Sequence, residues 1–127
     1  MPTILIADDS RVQLQLLSGW LQAQAFEVVT ASDALQAWVS AARIKPDAVI
    51  LDISMPAGSG IEVLKKLKMS VKTQSIPIIV VSGSGGLEMR DFVRRLGAVD
   101  FLQKPLAEEN LIQILNQALS SSTPRKG

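Results

Sequence analysis

The sequence predicts an α/β fold: a doubly wound, five-stranded parallel sheet with five helices distributed over its two faces. Two observations carry that prediction. Short β-branched runs alternate with longer stretches of helical periodicity, and the alternation repeats five times. Three of the runs are apolar at successive rather than alternate positions, which is how strands read when both faces are covered.

The runs are Thr3–Ala7, Glu27–Ala31, Ala48–Asp52, Pro77–Ser82 and Val99–Lys104; the first, third and fourth are the continuously apolar ones. Between Arg11 and Gln24, Leu14, Leu17 and Leu21 form one helical stripe. Leu35, Trp38 and Ala42 form a second, with Ser32 placed as its N-cap. Ile61, Leu64 and Leu67 begin a third after the turn-forming Ala57-Gly58-Ser59-Gly60. Met89, Phe92, Val93 and Leu96 fall at i, i+3, i+4 and i+7 of a fourth, whose Arg90, Asp91, Arg94 and Arg95 are expected to face outward. Leu111, Leu115, Ala118 and Leu119 mark the last. Right-handed crossovers restrict the topologies, and the flavodoxin-like strand order 2-1-3-4-5 is the common solution at this size. Residues 1–120 are expected to form one domain, and 121–127, polar and broken by Pro124, a flexible tail or the start of a linker.

The composition limits the chemistry. The 127 residues contain no cysteine and no histidine. Disulfide scaffolds, thiolate sites, histidine bases, imidazole ligands and a transferable phosphohistidine are therefore excluded on this chain. Thirteen basic against twelve acidic residues give a net charge of +1, too even for nucleic-acid binding driven by bulk charge. No apolar run approaches the roughly 18 residues of a membrane span, and Met1–Ser10 lacks a cleavable signal pattern. A cytoplasmic domain is expected.

In a doubly wound sheet, ligands bind beyond the carboxyl ends of the strands, where the winding reverses. The first strand ends in Asp8-Asp9, the third in Asp52, the fourth in Ser82 and the fifth in Lys104. In the order 2-1-3-4-5 the first and third strands are neighbours, roughly 4.8 Å apart, so the three aspartates crowd one pocket. Two unit charges about 4 Å apart repel by about 4 kcal/mol at an effective dielectric near 20. Oxygen-only ligands favour a hard cation, Mg²⁺ first with Mn²⁺ as an alternative, and Lys104 neutralises part of the remainder. The set suits phosphoryl transfer through an acyl phosphate. Asp52, alone on the central strand between the acidic pair and Ser82/Lys104, is assigned the nucleophile role, with Asp8 and Asp9 holding the metal.

These residues resemble the response-regulator receiver domains of two-component signalling, related in fold to the chemotaxis regulator. The likeness runs from Thr3 to Leu119 through Asp8-Asp9, Asp52, Met55-Pro56, Gly60, Ser82, Gly97-Ala98-Val99-Asp100 and Lys104-Pro105. The resemblance implies that Asp52 accepts a phosphoryl group from a histidine kinase or histidine phosphotransfer domain. It implies Mg²⁺ bound directly by Asp9 and Asp52, mostly through water by Asp8, and by the backbone carbonyl of Ser54. Ser82 and Lys104 would contact the phosphoryl group, and Phe101 would turn inward as Ser82 moves. The Lys104–Pro105 peptide is expected to be cis. Ser54 and Ser84 fall where the family tunes dephosphorylation. Output is expected through a downstream protein or output domain at the fourth helix, fifth strand and fifth helix, from a monomer or a weak phosphorylation-dependent dimer. No direct nucleic-acid or membrane partner is expected. On this reading the chain is a switch rather than an enzyme, catalysing only its own phosphorylation and autodephosphorylation.

Some positions depart from the pattern. Serine at 82 replaces threonine, Gly83 a frequent alanine, Gly58 an apolar residue, and Phe101 lacks a tyrosine hydroxyl. Val12, Leu16 and Trp20 lie beside the first helix's stripe and serve either kinase docking or extra core. A phosphatase of the haloacid dehalogenase type needs a second aspartate where Ser10 stands, and a flavodoxin needs a phosphate loop where Asp8-Asp9 would repel the ligand. The alternative kept is a phosphorylation-independent interaction module on the same fold.

Overall fold

The computed structural model describes residues 1–55 and 59–121. In chain order the elements are β1 (Thr3–Ala7), α1 (Arg11–Ala23), β2 (Glu27–Ala31), α2 (Ala34–Ile44), β3 (Ala48–Asp52), α3 (Ser59–Met69), β4 (Ile78–Ser82), α4 (Gly86–Arg95), β5 (Asp100–Gln103) and α5 (Glu108–Ser121). The sheet order is β2-β1-β3-β4-β5, with every pairing parallel, as the sequence predicts. Pro56, Ala57 and Gly58 of the expected turn, and residues 122–127 of the expected tail, lie outside the described residues. The last helix runs through Ser121.

Side chains of a strand alternate between the two faces, and here each face has its own core. Ile4, Ile6, Ile50, Ile79 and Val81 pack against Leu17 and Leu21 of α1 and Leu111 and Leu115 of α5. Leu5, Val49, Leu51, Ile78 and Val80 pack against Ala37 and Ala41 of α2, Leu64 and Leu67 of α3 and Val93 of α4. Burial on both sides is why the central strands need apolar residues at consecutive positions. No helix among the described residues is long and apolar enough to cross a membrane.

The helix details correct several expectations. Asp33, not Ser32, caps α2, its carboxylate accepting from the Gln36 amide. Ser32 instead donates to the Gln36 side chain from both amide and hydroxyl, which returns over the cap. The face α2 buries is the small-residue one, Ala37 and Ala41, with Trp38 beside it and Leu35 70% exposed. Small side chains bring the helix close to the sheet, so the bulky stripe loses the contest for the interior. In α4, Val93 is buried whereas Phe92 is 40% exposed. Arg90, its side chain 41% exposed, also reaches back toward β5 and donates to the Phe101 carbonyl at 3.1 Å.

Gly60, in the first turn of α3, lets that helix lie against the end of β3. A Cβ there would stand 2.2 Å from Ile53 Cα and 2.9 Å from the Asp52 carbonyl. Gly60→Ala is expected to cost about 1–3 kcal/mol by urea unfolding, because backbone on both sides must give way. Gly19→Ala in α1, where a Cβ meets nothing within 4 Å, is expected to stabilise by up to about 1 kcal/mol through helix propensity.

Candidate functional site

β1 and β3 pair with Ala7 opposite Leu51, so the residues that follow, Asp8 and Asp52, emerge side by side. Both are only 1% exposed. Each is fixed by a turn in which its carboxylate accepts the amide two residues on: Ser10 N to Asp8 Oδ1 at 2.9 Å, and Ser54 N to Asp52 Oδ1 at 2.8 Å. Asp9 remains exposed at the rim. One carboxylate oxygen from each of Asp8, Asp9 and Asp52 lies within 4.8 Å of the others.

Lys104 enters from the end of β5, where its own amide donates to the Ser82 carbonyl at 2.8 Å and its peptide to Pro105 is cis. Its ammonium bridges the buried pair, 3.1 Å from Asp8 Oδ2 and 3.2 Å from Asp52 Oδ2. Burial raises the pKa of Asp8, and the Asp52 charge adds to this against the Ser10 amide and Lys104. For Lys104 burial acts downward, but hydrogen bonding to Asp8 and the charge of Asp52 outweigh it and hold the ammonium above its ordinary value. Three carboxylates against one ammonium leave two negative charges in a pocket of oxygen donors. That donor set fits a hard divalent cation and offers nothing to a soft one.

Ser82 is buried at the end of β4, its hydroxyl accepting the Ser84 amide at 3.2 Å. Phe101 is 2% exposed within the α2–α3–α4 core, so the inward turn expected of it on activation is not needed to bury it. Thus Asp8, Asp9, Asp52 and Lys104 converge, Ser82 stands at the end of the next strand and Phe101 lies beneath. Two features escaped the sequence reading. The Ser54 side chain, not only its backbone, engages Asp52, with Oγ 2.7 Å from Oδ1; the Asp-x-Ser spacing was the available signal. Arg90 and Arg94 reach Asp100, at 3.9 and 3.2 Å, and so tie α4 to β5.

Comparison with known proteins agrees with this geometry. A family model described as the response regulator receiver domain matches residues 4–116. Protein PilH of Pseudomonas aeruginosa is 32% identical over 120 residues, which are 94% of this chain and 99% of that protein. Response regulator PleD of Caulobacter vibrioides is 39% identical over 103 residues, but the match covers 81% of this chain and 23% of that longer protein. Among solved structures, the chemotaxis protein CheY4 of Vibrio cholerae superposes with a TM-score of 0.86 at 30% identity, over 93% of this chain and 98% of that one. With the sheet order, the acidic cluster and the bridging lysine all in place, the chain belongs to the response-regulator receiver domains of two-component systems.

Proposed function

We propose that the chain is a phosphorylation switch: Asp52 takes a phosphoryl group from a phosphohistidine on a histidine kinase or phosphotransfer domain, in a Mg²⁺-dependent reaction, and the change alters partner binding. The observation that carries the reading is the buried Asp52 carboxylate, held between Lys104 on one oxygen and Ser54 on the other. Asp8, Asp9, Asp52 and the Ser54 carbonyl would hold the cation, which supplies charge neutralisation for the phosphoryl oxygens.

An Asp52 oxygen forms the new O–P bond as the donor's P–N bond breaks, and the imidazole nitrogen keeps the bonding pair. Lys104, charged well into the alkaline range, shifts from its carboxylates toward the incoming anion, and the Ser82 hydroxyl donates to it. Water later attacks phosphorus, releases phosphate and restores the carboxylate. Val12, 74% exposed, and the exposed Leu16 support α1 as the kinase-docking helix, whereas Trp20 packs against the core. The α4–β5–α5 face, on a monomer or a weak phosphorylation-dependent dimer, carries output to a downstream protein or output domain. Residues 1–120 act as one cytoplasmic receiver domain.

A second reading, a phosphorylation-independent interaction module, draws on Phe101 being buried already. Incubation with acetyl phosphate and Mg²⁺ separates the two. One phosphoryl group mapped to Asp52, lost in Asp52→Asn and in the presence of a chelator, is the outcome expected of the switch; an unlabelled chain with an unchanged binding face is that of the module.

The raised pKa of Asp8 has a stability consequence. Its ionised form is disfavoured in the fold, so the unfolded chain releases this proton at lower pH. The penalty is full at neutral pH and fades as pH falls through the raised native value toward the ordinary 3.8. Without divalent cations, Asp8→Asn is expected to melt above wild type at pH 7, the direction set by the cost of ionising Asp8 in the fold. That gap should close near pH 4, and Mg²⁺ should raise the melting temperature of wild type more than that of the variant.

A further inference from the structure

We propose that the end of the molecule opposite the acidic pocket is a docking face for an anionic lipid bilayer. The net charge of +1 hides an uneven distribution. Every strand pairing is parallel, so α2, α3 and α4 finish together, beyond the amino ends of β3, β4 and β5. There the chain exposes Arg43 and Lys45 at the end of α2, Lys66 and Lys72 about the end of α3, and Arg95 at the end of α4. Most carboxylates lie at the other end: Asp8, Asp9 and Asp52 in the pocket, with Asp33, Glu62 and Glu88 where the same three helices begin. The acids near the basic end are engaged within the fold. Asp47 and Glu27 accept from Thr3, and Asp100 accepts from Arg94.

The turn between α3 and β4 supplies an apolar component. Met69 and Val71 are 82% and 83% exposed, yet the turn that carries them is closely bonded. Thr73 Oγ1 donates to the Leu67 carbonyl at 2.6 Å and the Gln74 amide to the Ser70 carbonyl at 2.8 Å. The Lys68 ammonium holds the Gln74 and Ile76 carbonyls, and Thr73 and Ile76 are buried. The turn therefore presents two large apolar side chains beside Lys66 and Lys72 instead of tucking them away. Basic residues near helix C-termini also suit the helix dipoles, but that role asks for no exposed Met69 or Val71. Because α3 crosses between β3 and β4, with α2 and α4 to either side on the same face of the sheet, the apolar pair sits midway along a row of cations. Peripheral lipid binding uses that pattern: apolar side chains enter the headgroup boundary while neighbouring cations are drawn to anionic headgroups. A charged plane meets all three helix ends at once, which favours a bilayer over an acidic segment of a protein. Such contact is made at the bilayer surface and needs no spanning helix. It leaves the pocket of Asp8, Asp9 and Asp52 facing away from the lipid. The inference does not rest on the phosphoryl chemistry.

Co-sedimentation of the whole chain with lipid vesicles tests the face. Vesicles of phosphatidylglycerol mixed with phosphatidylcholine are expected to pellet the chain at low salt, and added salt to release it. Vesicles of phosphatidylcholine alone should leave it in solution. Lys72→Gln is expected to weaken binding about fivefold, the size of one cation near an anionic surface. Arg11→Gln removes the same charge at the start of α1, on the opposite end, and should bind as wild type does. Met69→Ser/Val71→Ser changes two exposed side chains and is expected to weaken binding about tenfold, with urea unfolding unchanged. A chain that stays in solution with the anionic vesicles at low salt overturns the proposal; if it then binds poly-glutamate, the face serves an acidic protein instead. Equal losses in Lys72→Gln and Arg11→Gln also overturn it, as does wild-type binding by the doubly substituted chain.

Discussion

Two carboxylates held out of water against each other are the constraint around which the rest of this structure is arranged. Asp8 and Asp52 are adjacent because β1 and β3 are adjacent, and each sits one pleat beyond the last fully apolar residue of its strand. Their mutual repulsion and desolvation would expel them from the interior if nothing compensated. Compensation comes from two Asx-type turns supplying amides and from Lys104, whose ammonium serves both acids at once. The arrangement is incompletely neutralised. Asp8 keeps a raised pKa despite these partners, so its ionised form is held at a cost in the fold.

Holding this cluster requires a scaffold that does not yield, and the two-sided core provides it. The central strands bury every residue from Ile4 to Ala7, Ala48 to Asp52 and Ile78 to Ser82, so a shift of either acid would disturb packing on both faces of the sheet. Gly60 extends the same logic: only a residue without Cβ allows α3 to start against Ile53 and the Asp52 carbonyl. Elsewhere a lysine satisfies the carbonyls of the loop that leads into β4. Lys68, whose pKa is lowered by burial, donates to the Gln74 and Ile76 carbonyls beneath β4, at 2.9 and 2.8 Å, and its stem fills the space left by Gly97.

The sheet, its order and the clustered acids were legible because each depends on patterns with one physical solution. Continuous apolar runs must be covered on both faces, and the strand order then forces Asp8 and Asp52 together. What could not be read depended on competition between near-equivalent choices. Ser32 and Asp33 are both good caps, and the winner was set by where the Gln36 side chain folds back. Leu35 and Trp38 looked like the buried stripe of α2, yet close approach to the sheet favoured Ala37 and Ala41. The direction of Arg90 follows from a tertiary acceptor, the Phe101 carbonyl, that no helical periodicity reveals.

Phe101 is packed tightly against the start of α4. Three contacts hold it: the core around it, the Arg90 guanidinium on its carbonyl, and a close approach at Gly85. At Gly85, φ is +123°, and a Cβ would stand 2.5 Å from Met89 Cβ and 3.6 Å from Phe101 Cζ. The aromatic, Met89 and the start of α4 therefore form one packed unit. Ser82 meets that unit through Ser84 and the left-handed Gly85-Gly86 pair. Glycines at positive φ lower the cost of rearranging this link, whereas moving Phe101 would break buried contacts on several sides. The loop leading into α4 is therefore cheaper to rearrange than the buried side chain of Phe101.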